Sequence, residues 1–198
     1  MDEGQARFQR AIDLFDAANA TDPNMELGQP KELLYAQRMS AMLDRFAPQA
    51  NETVRLAVRA QHIERWKIPR GDYPMDRQGY HHWRIRLYQF HADRAGELMR
   101  RAGYDDDSIE AAKRVVGKRG LKVNPDTQLL EDVASMVFIE HYLLAFAQSK
   151  PDYTEEQWLT ILRKTWRKMS VAAQRFVSNQ GIQCPPSLLP LIERAVSE

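Results

Sequence analysis

Apolar residues recur at helical steps along almost the whole chain. Phe8, Ile12 and Phe15, flanked by Ala11 and Leu14, predict an amphipathic helix over residues 3–20. Thr21 to Gln29 holds Pro23 and Gly28 and reads as a loop. Pro30 suits the first turn of a second helix reaching Phe46, with Tyr35, Met39, Met42 and Phe46 on one face. Asn51 is a natural cap for a third helix over about 52–66. Asp76 caps a fourth over about 77–102, which Gly103 stops. Asp105, Asp106 and Asp107 place acidic residues at the positive end of a fifth, ending near Gly117 or Gly120. Asn124-Pro125 opens a sixth over about 125–148, apolar on almost every side and so central to the fold. Thr154-Glu155-Glu156-Gln157 matches a capping box for a seventh helix to Lys168. Ser170 caps another, and a short helix near 188–196 closes the chain. No alternating strand pattern and no repeat interrupts the series. The expected architecture is all-α: a single-domain bundle of seven to nine helices.

Three polar residues break the apolar stripes. His62 follows Val54 and Val58 and precedes Trp66 at steps of four. His91 lies in line with Leu87, Ala95 and Leu98, and Asp132 lies between Leu129 and Met136. A buried neutral imidazole is satisfied by one hydrogen bond, but a buried carboxylate requires a cation or several donors. Imidazole and carboxylate together suit a divalent ion of the Mn, Fe, Co, Ni or Zn group. The three residues are 29 and 41 positions apart, so they meet only if their helices pack around one point. The alternative from the same residues is a pair of hydrogen-bonded core histidines and an Asp paired with an Arg.

Composition narrows the picture. The chain has 198 residues, 43% hydrophobic and 28% charged, with net charge +1, so nothing in its overall charge points to nucleic acid or an anionic membrane. One cysteine, Cys184, excludes an intramolecular disulfide and suits a reducing cytoplasm. The start of the chain is polar and acidic, unlike a secretory leader. The most apolar stretch, Val133 to Ala147, contains Glu140 and His141 and is too short to cross a bilayer. The expected location is the cytoplasm. Near His62, Arg55, Arg59, Arg65, Lys67 and Arg70 form a basic group, and Lys118, Arg119 and Lys122 another. Arg65 and Arg70, beside Trp66 and the stiff Ile68-Pro69-Arg70-Gly71-Asp72-Tyr73-Pro74 segment, are the better phosphate-binding candidates, with Lys118 able to join them. His81-His82 faces two directions on a helix and is a poor metal doublet.

Leu56-Ala57-Val58-Arg59-Ala60-Gln61-His62-Ile63 resembles the helix that carries the His-Asp doublet of the HD-domain metal-dependent phosphohydrolases. Leu34-Tyr35-Ala36-Gln37-Arg38-Met39 is similar to the preceding helix of that superfamily. Phe90-His91-Ala92-Asp93-Arg94-Ala95 resembles its His-Ala-x-x-Ala helix, and Leu129-Leu130-Glu131-Asp132-Val133 the segment with its last Asp ligand. The resemblance spans about 30–145 as an HD-like core, leaving about 150–198 as a C-terminal helical extension. It implies a divalent ion held by His62, His91 and Asp132, with Glu131 in proton transfer. Arg65, Arg70 and Lys118 would hold a phosphorylated small molecule or nucleotide, the ion-bound water attacking phosphorus. The family's first ligand His corresponds here to Tyr35 and the Asp of its doublet to Ile63. That departure motivates a second reading: a non-catalytic HD-like module binding a nucleotide, a small anion or a protein. The whole chain also resembles a conserved bacterial and eukaryotic family without an established activity.

Overall fold

The computed structural model describes residues 2–196. Ten α-helices make up most of it: α1 (Glu3–Asn19), α2 (Lys31–Phe46), α3 (Glu52–Ala60), α4 (Arg77–Ala102), α5 (Asp106–Val116), α6 (Pro125–Val137), α7 (Leu143–Gln148), α8 (Glu155–Lys168), α9 (Val171–Ser178) and α10 (Leu189–Val196). The class is all-α, with one helix more than the expected range. A two-residue hairpin, β1 (Met25–Glu26) with β2 (Gln29–Pro30), is the one strand pairing among the described residues, too short to leave an alternating pattern. No helix among them is long and apolar enough to cross a membrane.

Most helix starts follow directly from side-chain caps. Asp2, Asn51, Asp76, Asp105, Thr154 and Ser170 each accept a backbone N–H from the first turn that follows. Gly103, with φ 98°, ends α4 in the left-handed region that favours glycine. At the other end of α4, Gly79 is required by a close approach. A Cβ there would lie 2.1 Å from the Pro74 carbonyl oxygen. Gly79→Ala is therefore expected to destabilise the protein by about 1–3 kcal/mol, as overpacking against fixed backbone does, readable as a lower urea midpoint. An unchanged midpoint would mean that the 68–76 loop yields freely.

The helical residues fall into two compact units, one running to Leu130 and the other beginning at Glu131. In the first, α4 packs along α5 and α1, and α3 lies against α5, α2 and α1. Phe15, Met39, Met42, Leu43, Leu56, Val58, Ile63, Leu87, Leu98, Met99 and Ile109 fill its interior. Arg59 locks α3 to α1 through both oxygens of Asp16, at 2.7 and 2.6 Å, and α2 is anchored at its start by buried Asp22, which accepts the Glu32 N–H at 3.0 Å.

In the second unit, helix α6 runs into a π-helical turn, Phe138–Tyr142, before α7, so the expected helix over 125–148 is present with a wider turn inside it. Glu140 in that turn accepts the Gln183 N–H at 2.8 Å. Helix α8 packs on α10. Trp158 is buried, with Phe146 and Tyr153 against its ring.

Helix α3 ends at Ala60, not at residue 66. Its apolar stripe continues in sequence, but the backbone leaves the helix through Gln61 to Glu64. Glu64 takes φ 50° and ψ 34°, its N–H donating to the side-chain oxygen of buried Asn19 at 2.9 Å. Its carboxylate, 4% exposed, is held by Arg94 Nε and Lys67 Nζ, each at 2.8 Å. Partners on α1 and α4, distant in sequence, thus stop the helix. His62 and Arg65 are delivered by a turn rather than by a helix face.

Candidate functional site

Four segments of the first unit converge beyond the end of α3. Glu32 and Tyr35 come from the first turns of α2, Gln61, His62 and Arg65 from the turn after α3, and Trp83, Arg84 and His91 from α4, with Lys118 following α5. His62 is at the centre. The Tyr35 ring stacks on it at 4.1 Å between centroids and 14° between planes. The Tyr35 hydroxyl donates to Gln61 Oε1 at 2.5 Å, which fixes the stacking ring. The His91 ring lies 5.9 Å from that of His62.

The hydrogen bonds assign both tautomers. A guanidinium only donates, so Arg65 Nη1, at 3.2 Å, donates a hydrogen bond to His62 Nε2. The His62 proton is then on Nδ1, which faces Glu32 Oε2 at 3.4 Å. A carbonyl only accepts, so His91 Nδ1, 2.9 Å from the Ile63 oxygen, carries the His91 proton. That leaves a lone pair on His91 Nε2, which is buried and has no hydrogen-bond partner. The orphan atom marks a place where a donor from outside the protein is wanted.

Burial, and then the charge of Arg65, push the His62 pKa well below its usual value and that of His91 down to about 3, with Arg84 and Lys118 acting in the same direction. Both imidazoles are neutral at physiological pH. Burial pushes Glu32 the other way, up to about 7, although Arg65 and Lys31 oppose the rise. Arg65 itself is lowered by burial. Its guanidinium lies over the Trp83 ring, 4.9 Å from the centroid, and the indole N–H is fixed to the Ile68 carbonyl at 2.9 Å. Among the described residues no carboxylate forms an ion pair with Arg65. The His62 side chain is 23% exposed, so this cationic corner is open to solvent.

The expected metal set does not form. Among the described residues, no group of three or more His, Cys, Asp or Glu side chains could hold a metal ion. His62 and His91 are brought together, but the His62 lone pair faces a guanidinium rather than open space. Ile63 is a fully buried apolar side chain. Asp132 is buried as anticipated, and its carboxylate holds Ser170: Oδ1 accepts the Ser170 N–H at 2.7 Å and Oδ2 the Ser170 hydroxyl at 2.5 Å. Asp132 belongs to the second unit and supports the start of α9. Glu131, the expected proton-transfer residue, is also in the second unit, with Lys168 Nζ 3.6 Å from its carboxylate. This donor set does not fit a divalent ion.

Of the expected phosphate-binding residues, Arg65 is central, and Lys118 is near enough to act on both histidines and lies 5.9 Å from the Tyr88 ring. Arg70 donates to the carbonyls of Tyr73 at 3.0 Å and Asp76 at 3.3 Å, which holds the loop closed, and its guanidinium lies 5.9 Å from the centroid of the Trp83 ring that also backs Arg65. Sequence reasoning missed Glu32 and Arg84. Both carried the signal used for the histidines. Glu32 is in step with Ala36, Met39 and Leu43, and Arg84 with Leu87 and His91.

No curated protein and no solved structure matches the chain. A family model described as "Domain of unknown function (DUF4202)" matches residues 9–192. A match over nearly the whole length places the chain in that family, and the cluster around Arg65 lies inside the matched span: the protein is a member of the DUF4202 family.

Proposed function

We propose that the protein is an HD-like helical module that binds a phosphorylated small molecule or nucleotide at the Arg65 corner of its first unit. One observation carries this reading: a half-buried guanidinium, held over the Trp83 ring, with no carboxylate in ion-pair contact among the described residues. A cation partly withdrawn from water is favoured by an anion that completes it, and Arg matches the planar, bidentate geometry of phosphate oxygens. Arg84 and Lys118 add positive potential, while the neutral histidines add none. Trp83 holds the guanidinium in place from behind. Metal-dependent hydrolysis, which the HD resemblance implies, finds no supporting ligand set among the described residues.

Titration calorimetry with inorganic phosphate tests the proposal. Wild type is expected to bind, and Arg65→Gln to bind about ten- to a hundredfold more weakly, the equivalent of losing a charge-assisted hydrogen bond of roughly 1.5–3 kcal/mol. Equal affinities in two folded proteins, or no binding by wild type, would refute it.

A further inference from the structure

Glu32 and His62 form a carboxylate–imidazole dyad pointed at the proposed phosphate site. We propose that His62 is the proton-accepting catalytic residue of a phosphomonoester hydrolysis at this site, with Glu32 as its positioning residue. The inference rests on the phosphate-binding reading above and goes one step further, from holding the anion to cleaving it.

A general base needs an accepting lone pair on the side where the substrate sits, a fixed tautomer, and neutrality at working pH. The geometry supplies the side and the tautomer, and a bound phosphate that engages Arg65 frees the lone pair. His62 Nδ1–H faces Glu32, so Nε2 is the accepting atom, and Nε2 is the atom that Arg65 already touches. Tyr35 stacked on one face and the closed turn from Gln61 to Glu64 hold the ring. Glu32 is held in turn by the Asp22 carboxylate on its own N–H. Arranged this way, the dyad has the orienting logic of a carboxylate behind a catalytic imidazole, with a guanidinium in place to take negative charge on the phosphoryl oxygens.

The reaction balances without a further reactant. A bound phosphate draws the Arg65 fork off His62 Nε2 and leaves that lone pair facing a water molecule. As the water oxygen bonds to phosphorus, one of its protons passes to Nε2. The phosphorus–oxygen bond to the leaving group breaks, and its electron pair stays on the leaving oxygen. The proton on His62 then passes to that oxygen or to solvent, giving an alcohol and inorganic phosphate. Nothing is oxidised or reduced.

The test uses the full chain and 4-nitrophenyl phosphate, whose leaving group departs without needing a proton, alongside calorimetry with inorganic phosphate. Wild type is expected to turn the ester over equally well with and without a chelator. His62→Gln should lower kcat at least about a hundredfold while the phosphate Kd changes less than about threefold. Glu32→Gln should lower kcat about tenfold and leave KM unchanged, a split that loss of structure would not produce. His62→Ala with added imidazole should recover part of the lost turnover. Phosphate binding without turnover by wild type would overturn the catalytic inference and leave the binding reading standing. No phosphate binding by wild type would remove both. Turnover that depends on an added divalent ion, or full turnover by His62→Gln, would overturn the role of His62.

Discussion

Asp132→Ala is expected to cost about 3 kcal/mol or more of folding stability, and to do so equally in the presence and absence of a chelator. The Asp132 carboxylate is 2% exposed and receives both the N–H and the hydroxyl of Ser170. Ser170 Oγ in turn accepts the Ala173 N–H at 3.1 Å and so caps α9. Hydrogen bonds to a charged group contribute roughly 1.5–3 kcal/mol each, and a lost cap about 1 kcal/mol more. Alanine removes the acceptor for a backbone N–H at a helix start and sets the capping serine loose. Asp132→Asn should cost less, because one amide oxygen can still accept from Ser170. Urea denaturation at constant m-value measures both. A midpoint for Asp132→Ala within error of wild type would sink the structural role assigned to this residue. A large effect confined to protein without chelator would restore the metal role that the sequence pattern suggested.

Glu32→Gln is expected to stabilise the protein at pH 8 and to be neutral near pH 4. The Glu32 pKa is raised by burial from 4.5 to about 7. The folded protein therefore holds this proton more tightly than the unfolded chain. Stability from Glu32 is full below about 4.5 and is lost as pH rises toward 7. The loss approaches about 3 kcal/mol, at 1.36 kcal/mol per unit. Glutamine has no such proton to lose. His91 has the opposite slope. Its folded pKa is about 3, so the unfolded chain gains a proton below its ordinary value near 6.5, and stability falls as pH drops through that range. His62, lowered in the same direction, adds to the His91 slope, and both oppose that of Glu32 between about 4.5 and 6.5, so wild type alone does not report the Glu32 contribution. The difference between wild type and Glu32→Gln isolates the Glu32 contribution. Denaturation midpoints at intervals from pH 4 to pH 8 give that difference, and parallel curves for the two proteins would contradict it. A variant more stable than wild type and slower in turnover is also what a carboxylate kept for a task rather than for the fold should produce.

Helix starts were the most legible part of the sequence because their signals are local. Asp76 and Gly103 bound α4 at both ends, and the Thr154 capping box and Ser170 mark α8 and α9 where the side chains indeed cap. The end of α3 was not legible. Val54, Val58, His62 and Trp66 keep helical spacing, and nothing nearby in sequence announces the break at Ala60. The break depends on Asn19 and Arg94, 45 and 30 residues away. The site was legible in part for the same reason. A polar residue in an apolar stripe marked His62, His91 and Asp132 alike, but the pattern carries no information on what each residue meets. Two met each other, and the third met Ser170. Glu32 and Arg84 show the same pattern, but a long charged side chain beside an apolar stripe also reads as a solvated edge.

Position 64 is a point of local frustration, and this limits how the chain can vary. Its backbone is in the left-handed region, where an ordinary side chain costs roughly 1–2 kcal/mol relative to glycine. Its carboxylate is also the group that Arg94 and Lys67 converge on. Glycine would relieve the backbone and discard the carboxylate. A strong helix former with an apolar side chain would favour continuing α3, which would carry His62 and Arg65 on along a helix instead of through the turn that delivers them to Glu32 and Trp83. The two demands are best reconciled by short polar residues that tolerate positive φ, namely Asp and Asn, so the most accessible evolutionary paths through this position are narrow. The placement of the Arg65 corner is thus tied to a neighbour whose carboxylate is engaged by Arg94 and Lys67, and which sets where the helix before the corner stops.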